Sequence, residues 1–169
     1  RPAALSAWDS LVRGYPSSPS FPAYLHHRGM SELAQGRWAP ALDDFQRVMK
    51  DYPGSAWAGG SSYAIGFIYA QRGEYPRALP FFATPQASFT RSQGMRGRLA
   101  AAICLFNMGR FDEAAAAFGA LQGASQPAAS PGTVALYAGK SLYRAGRRGD
   151  AAAQLAGAAL TLLSEDSPL

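Results

Sequence analysis

LAQGRW at residues 33–38 recurs in altered form as AQRGEY at 70–75, FNMGRF at 106–111 and YRAGRR at 143–148. The central glycines of these segments are 37, 36 and 37 residues apart: Gly36, Gly73, Gly109 and Gly146. A period of this length indicates an array of supersecondary units, each of which buries its apolar face against a neighbour. The sequence therefore predicts four copies of one structural unit.

Three further positions keep a constant distance from each glycine. Seven residues before it the residue is small: Gly29, Gly66, Ala102 and Gly139. Five residues after it stands an alanine: Ala41, Ala78, Ala114 and Ala151. Nine residues after it stands a large apolar residue: Phe45, Phe82, Phe118 and Leu155.

This pattern predicts a helical hairpin in each unit. The first helix ends at the glycine, which adopts the left-handed backbone conformation that other residues resist, and the second helix begins two or three residues later. We expect the small residue and the alanine to mark the point where the two helices cross closely. We expect the large residue to fill the space between consecutive hairpins.

Composition excludes several classes of protein. The chain has 169 residues, of which 48% are hydrophobic and 16% charged, with a net charge of +5, and this argues against disorder. No apolar run reaches the ~20 residues of a transmembrane helix. The single cysteine, Cys104, excludes an internal disulfide or a Cys-rich zinc site, and we interpret it as a small buried hydrophobe. Basic residues are scattered, which argues against nucleic-acid binding.

The spacing of small residue, glycine, alanine and aromatic residue resembles the tetratricopeptide repeat (TPR). The resemblance implies an all-α, right-handed solenoid of about nine helices. Pro53 matches the proline that closes such a repeat, whereas Arg148 stands where the family has an aromatic residue. We expect one domain over 1–169, with a trailing half-repeat at 1–18, full repeats at 22–55, 58–91, 94–127 and 132–164, and a longer loop at 122–131.

The N-terminal segment aligns with the second helix of the first full repeat. ALSAWDSLVRGYP at 4–16 lies 37 residues before ALDDFQRVMKDYP at 41–53. The expectation is that the chain opens inside a repeat and is a processed or excised piece, or part of a longer array. The phrase Tyr-Pro-x-Ser at 15–18 and 52–55 is similar to bacterial cell-envelope TPR proteins, such as the Tol–Pal coordinator and the outer-membrane assembly lipoprotein. The resemblance favours the periplasm or cell envelope and leaves the cytoplasm open.

The sequence offers little for catalysis. No GxSxG, P-loop or HExxH motif occurs, and the adjacent His26 and His27 would point about 100° apart on a helix, which prevents a shared metal. We interpret the pairs at 43–44 and 112–113 as carboxylates in the first turn of second helices, where they complement the helix dipole. We therefore predict no catalytic residue, metal or cofactor.

The resemblance places residues ten, six and three positions before each glycine on the concave side of a solenoid. The candidate partner-binding groove is mostly apolar: His26, Met30, Tyr63, Phe67, Leu99, Ile103, Phe106, Lys140 and Tyr143. Four arginines are candidates for its rim: Arg91, Arg96, Arg98 and Arg144. Asn107, Lys140 and Arg144 match only part of a clamp for a chain-terminal carboxylate, so that mode is not expected. Two alternatives stay open: that these residues pack within the core, and that a partner docks on uncapped ends.

The predicted function is that of a noncatalytic scaffold or adaptor for protein–protein interaction. It would bind a peptide or helix segment as a subunit of a larger assembly. The resemblance places this assembly at the envelope or a membrane, with membrane contact only through a partner or an unseen anchor. The alternative is a TPR targeting or regulatory domain cut from a longer enzyme or regulator.

Overall fold

The computed structural model describes residues 2–83, 91–122 and 129–165, and every regular element in these ranges is an α-helix. The nine helices are α1 (Pro2–Gly14), α2 (Phe21–Leu33), α3 (Trp38–Asp51), α4 (Ala58–Gln71), α5 (Tyr75–Ala83), α6 (Arg91–Asn107), α7 (Phe111–Gly119), α8 (Pro131–Arg144) and α9 (Arg148–Glu165). The predicted all-α class and the helix number are confirmed for this part of the chain.

The chain divides into two compact units, residues 1–93 and 94–169. In the first unit each helix from α1 to α4 packs against the next one along the chain. In the second unit α7 packs against α8, and α8 against α9. The boundary falls between the predicted repeats at 58–91 and 94–127, so each unit holds two hairpins. Most of the predicted loop at 122–131 lies outside the described residues.

The four repeat glycines end the first helix of each hairpin, as predicted. Gly36, Gly73, Gly109 and Gly146 have φ of 72°, 74°, 76° and 82°, and no other described residue has a positive φ. The Gly36 N–H donates to the Leu33 carbonyl at 3.0 Å, and the next N–H, of Arg37, donates to the Glu32 carbonyl at 3.0 Å. The other three turns repeat this pair of bonds, which satisfies carbonyls that a helix end leaves unpaired.

The small residue of each hairpin makes room for the large residue nine positions after the glycine. A Cβ on Gly29 would lie 2.9 Å from the Phe45 ring, one on Gly66 would lie 2.8 Å from the Phe82 ring, and one on Gly139 would meet Leu155 at 2.7 Å. In the third hairpin Ala102 and Phe118 are both fully buried in one cluster. The sequence prediction was wrong to pair the small residue with the alanine alone and to assign the large residue only to the space between hairpins.

The space between hairpins is nevertheless filled by such a residue in the second unit. The Phe118 ring stacks on Tyr137 of α8, the next hairpin, with centroids 5.6 Å apart. The alanines five positions after each glycine are also buried, at Ala41, Ala78, Ala114 and Ala151. A single set of positions therefore packs each hairpin internally and, at Phe118, against its neighbour.

A buried ion pair joins the first three helices. The Arg28 guanidinium donates to both carboxylate oxygens of Asp44 at 2.7 and 2.6 Å and reaches Asp9 of α1 at 3.3 Å. Because α3 begins at Trp38, Asp43 and Asp44 lie beyond its first turn, and the helix-dipole interpretation was wrong for this pair. Asp44 is instead buried, and its carboxylate binds the Arg28 guanidinium of α2. Asp112 and Glu113 do lie in the first turn of α7, as predicted.

Cys104 is buried in α6, and burial raises the pKa of its thiol to about 11, which agrees with the interpretation as a small core residue. No helix among residues 2–83, 91–122 and 129–165 is long and apolar enough to cross a membrane. The same residues contain no group of three His, Cys, Asp or Glu side chains that could hold a metal.

Candidate partner-binding surfaces

The residue six positions before each turn glycine is exposed in all four hairpins. Met30 and Phe67 in the first unit are 44% and 39% exposed, and Ile103 in the second unit is 40% exposed. The fourth residue of this set, Lys140, is also exposed. The residue directly before each of them in sequence is buried, so the first helix of every hairpin presents one outward position beside its crossing point. We call these four residues the exposed set.

The residue ten positions before the glycine does not share this exposure. His26 is half-buried, with its Nδ1 2.9 Å from the Ser61 hydroxyl of α4 and its ring near Phe45 and Trp57, at centroid distances of 5.6 and 5.1 Å. Burial, and then the charge of His27, lower the pKa of His26 to about 4. The side chain is therefore a neutral contact between α2 and α4 at physiological pH.

His27 packs beside it in an aromatic cluster. Its ring stacks on Trp8 of α1 at 4.9 Å and meets Trp57 edge-on at 4.7 Å. The two imidazole centroids are 5.6 Å apart. Aromatic rings thus contact both histidines, and each imidazole takes part in packing within the first unit.

Two other predicted groove residues, Tyr63 and Leu99, also take part in packing. The Tyr63 ring lies 5.4 Å from Phe82 of the same hairpin, and Leu99 packs against the buried cluster of the second unit. Both side chains are half-buried, so their substitution would change the packing of a hairpin as well as its surface.

Three predicted groove residues of the second unit line one cavity. Phe106, Lys140 and Tyr143 surround a cavity of about 570 Å³ together with the predicted rim residue Arg144 and with Tyr137 and Leu155. We call it the α8 pocket. Phe106 meets Tyr137 edge-on at 6.1 Å, and the Lys140 Nζ lies 5.2 Å from the Tyr137 ring centroid.

Sequence reasoning missed Tyr137 because its position does not repeat. The residues at the same distance from the other turn glycines are His27, Ala64 and Ala100, so the four units hold no common residue type at this position. A hydrophobic period places Tyr137 on a helix but gives no signal that its ring contacts both Phe106 and Phe118.

The α8 pocket carries two positive charges, those of Lys140 and Arg144. In the described part of residues 94–169, Arg110 pairs with Glu113 and Arg147 with Asp150, while Lys140 and Arg144 make no ion pair. The rim candidates Arg96 and Arg98 are exposed on α6, make no ion pair with a described side chain and do not line the pocket. The side chain of Arg91 lies outside the described residues.

Comparison with known proteins gives the fold. Residues 23–55, within the predicted repeat at 22–55, match a family model described as tetratricopeptide repeat (TPR_6). No curated protein sequence matches the chain.

Solved structures match almost the whole chain at low sequence identity. MamA of AMB-1 is 20% identical with a TM-score of 0.72, covering 97% of this chain and 98% of its own. A putative kinesin light chain of Podosopora anserina, described by its nearly identical TPR-like repeats, is 16% identical with a TM-score of 0.73, covering 97% and 87%. MamA of MSR-1 is 17% identical with a TM-score of 0.68, covering 98% and 95%. The predicted fold class is thus confirmed: the chain has an all-α, TPR-like fold, with a tetratricopeptide repeat match over its first full hairpin.

Proposed function

We propose that this chain is a noncatalytic scaffold that binds a segment of a protein partner through the exposed faces of its first helices. The observation that carries the proposal is the exposed set: in three hairpins of four, the outward position holds Met30, Phe67 or Ile103. Burial of a large apolar side chain is favourable in water, and Phe and Met are enriched at protein–protein interfaces.

The polar groups of the chain support a noncatalytic role. Arg28 and Asp44 are held in a buried ion pair, and His26 is hydrogen-bonded to Ser61, so these side chains are engaged in structural contacts. A TPR-like framework leaves recognition to its exposed side chains, so the identity of the client depends on those residues and not on the fold.

The finer proposal is that the chain works as a subunit of a bacterial cell-envelope assembly. Support comes from the Tyr-Pro-x-Ser phrase at 15–18 and 52–55, which is similar to envelope proteins with these repeats. A second docking surface is favoured by α9, where Leu160 and Leu163 are 71% and 70% exposed. Any membrane contact would then be made through the partner.

Affinity purification with matched variants tests the proposal. The first variant, Met30→Ser with Phe67→Ser, and the second, Ile103→Ser with Tyr143→Ser, each remove two apolar side chains that are exposed on first helices. The third variant, Leu160→Ser with Leu163→Ser, removes two exposed apolar side chains from α9. Partners recovered from a lysate of the source organism are quantified by mass spectrometry for each variant.

We expect the first or the second variant to lose a specific partner at least about tenfold, with helicity unchanged because surface substitutions seldom alter stability much. The α9 variant should retain that partner. Loss only in the α9 variant would move binding to the C-terminal helix and refute the role of the exposed set. Full recovery by all three variants would refute the proposed function.

A further inference from the structure

The α8 pocket has two chemically distinct parts. Its inner lining is half-buried and apolar or aromatic, formed by Phe106, Tyr137 and Leu155. Its outer lining is exposed, formed by Lys140, Tyr143 and Arg144. Ligand pockets in proteins combine an apolar interior with a few polar groups that fix orientation, and a volume of about 570 Å³ lies within their roughly 300–1,000 Å³ range.

The inner lining favours a large apolar side chain. Phe106 and Tyr137 already meet edge-on, and Tyr137 also stacks on the buried Phe118, which holds its ring in place. Aromatic rings in such an arrangement gain from an additional ring or a branched aliphatic group placed against them. Leu155 is held against Gly139 and completes the apolar surface.

The outer lining favours a carboxylate. Lys140 lies over the Tyr137 ring, so its ammonium group is positioned at the pocket before any ligand arrives. Arg144, one helical turn later, adds a guanidinium that can bind a carboxylate in a bidentate manner. Neither cation has a carboxylate partner in the described residues of the unit, so an anionic ligand would displace no existing ion pair.

The charge balance of the second unit also favours an acidic ligand. Among its described side chains, one carboxylate, that of Asp112, makes no ion pair. Five cations make none: Arg96, Arg98, Lys140, Arg144 and Arg148. Such an excess of positive charge speeds association with an acidic partner and disfavours basic partners. Its effect on affinity is smaller. Asn107 does not line the pocket, so the clamp for a chain-terminal carboxylate is incomplete there.

We propose that the α8 pocket binds an internal acidic segment of a partner protein, in which a large apolar side chain enters the pocket and a neighbouring aspartate or glutamate side chain contacts Lys140 and Arg144. The inference rests on the proposed scaffold function and names the chemistry of the segment that one unit of the scaffold recognises.

A peptide selection tests this chemistry. Random peptides are displayed with their C-termini fused to the carrier, so that no chain-terminal carboxylate is offered, and the full chain is used as bait. Enriched sequences are then synthesised with amidated C-termini, and their affinity is measured by fluorescence anisotropy. We expect the enriched peptides to share an aromatic or branched apolar residue within three positions of an acidic residue.

Variants assign the binding to the pocket. Lys140→Glu with Arg144→Glu reverses the outer charge at exposed positions and should weaken binding at least about tenfold, and should also remove most of its salt dependence. The matched control, Lys50→Glu with Arg148→Glu, changes the net charge equally at exposed residues that do not line the pocket, and should stay within about twofold of the parent. Tyr143→Ser removes an exposed aromatic ring from the outer lining and should also weaken binding.

Several outcomes would overturn the inference. These are enrichment of peptides without acidic residues, failure to enrich any peptide, equal affinity for the charge-reversed variant, or binding that requires a free C-terminal carboxylate. The scaffold function would still stand in each case if the Met30→Ser, Phe67→Ser variant loses a partner in affinity purification, so the two failures are distinguishable.

Discussion

Acidification should destabilise the first unit through a single side chain, His26. Burial, and to a smaller extent the neighbouring His27, lower the pKa of His26 from 6.5 to about 4 in the folded chain. The unfolded chain therefore binds a proton between these pH values while the folded chain does not. Stability that is fully present above pH 6.5 should be lost as the pH falls toward 4.

The size of the loss follows from the difference between the two pKa values. Each pKa unit corresponds to about 1.36 kcal/mol, so the complete loss amounts to about 3 kcal/mol. About 2 kcal/mol of it should already be lost at pH 5, where the unfolded chain is almost fully protonated at this position. That is a large share of the roughly 5–15 kcal/mol that stabilises an ordinary domain.

The assay compares the parent chain with His26→Gln, which cannot titrate in this range. Urea unfolding is followed at pH 7.5, 6.5, 5.5 and 5.0 by tryptophan fluorescence, which reports on the first unit because Trp8, Trp38 and Trp57 all lie there. The free energy of unfolding of the parent minus that of the variant should fall by about 2 kcal/mol from pH 7.5 to 5.0. His27→Gln removes only the smaller cause of the lowered pKa of His26 and should retain most of the loss.

Proton NMR provides an independent check, because the chain has two histidines and so two imidazole C2–H resonances. The resonance missing from His26→Gln should not shift in the folded chain until the pH approaches 4. If the His26 resonance titrates with a midpoint near 6.5, the reasoning is refuted. A stability difference between the parent and His26→Gln that is constant from pH 7.5 to 5.0 would refute it as well.

Three further substitutions should change stability in ways that urea unfolding can measure. Gly36→Ala should cost about 1 kcal/mol, because φ of 72° is strained for alanine although no atom lies within 4 Å of the new Cβ. Gly157→Ala, in open space within α9, should instead stabilise its helix by roughly 0.5–1 kcal/mol. Asp44→Asn should cost about 3 kcal/mol, because it leaves the Arg28 guanidinium without its bidentate partner.

For each of these substitutions, a stability measurement could contradict the structural argument. Equal effects of the two glycine substitutions would mean that the turn at Gly36 does not require a left-handed residue. An Asp44→Asn variant no less stable than Asp51→Asn, which affects an exposed pair with Arg47, would mean that the Arg28 network contributes little.

The sequence alone predicted the features that repeat. A left-handed turn requires glycine, and a close crossing requires a small residue, so Gly36 and Gly29 leave a signal at every period. Hairpin number and helix ends depend on such positions. The outward placement of Met30, Phe67 and Ile103 was instead implied by the resemblance to tetratricopeptide repeats, and the period alone left open whether these residues pack in the core.

Features that occur once could not be predicted in this way. The hydrogen bond between His26 and Ser61, 35 residues apart, depends on how α2 lies against α4, and no other hairpin repeats it. Asp44 was assigned to a first turn although the predicted start of α3, two residues after Gly36, already placed it beyond that turn. Its ion pair with Arg28 left no periodic signal, because the equivalent residues of the other hairpins are uncharged. The α8 pocket depends on Tyr137, whose equivalents in the other hairpins are unrelated residues.

The buried position of Cys104 makes the chain its own reporter of local opening. A thiol that is 1% exposed, with a pKa raised to about 11, reacts with an alkylating reagent only when the surrounding helices separate. The rate of modification therefore measures the opening equilibrium of residues 94–169, while the tryptophans report on residues 1–93. The two signals recorded in one denaturant series would show whether residues 1–93 and 94–169 unfold in one cooperative transition or in two.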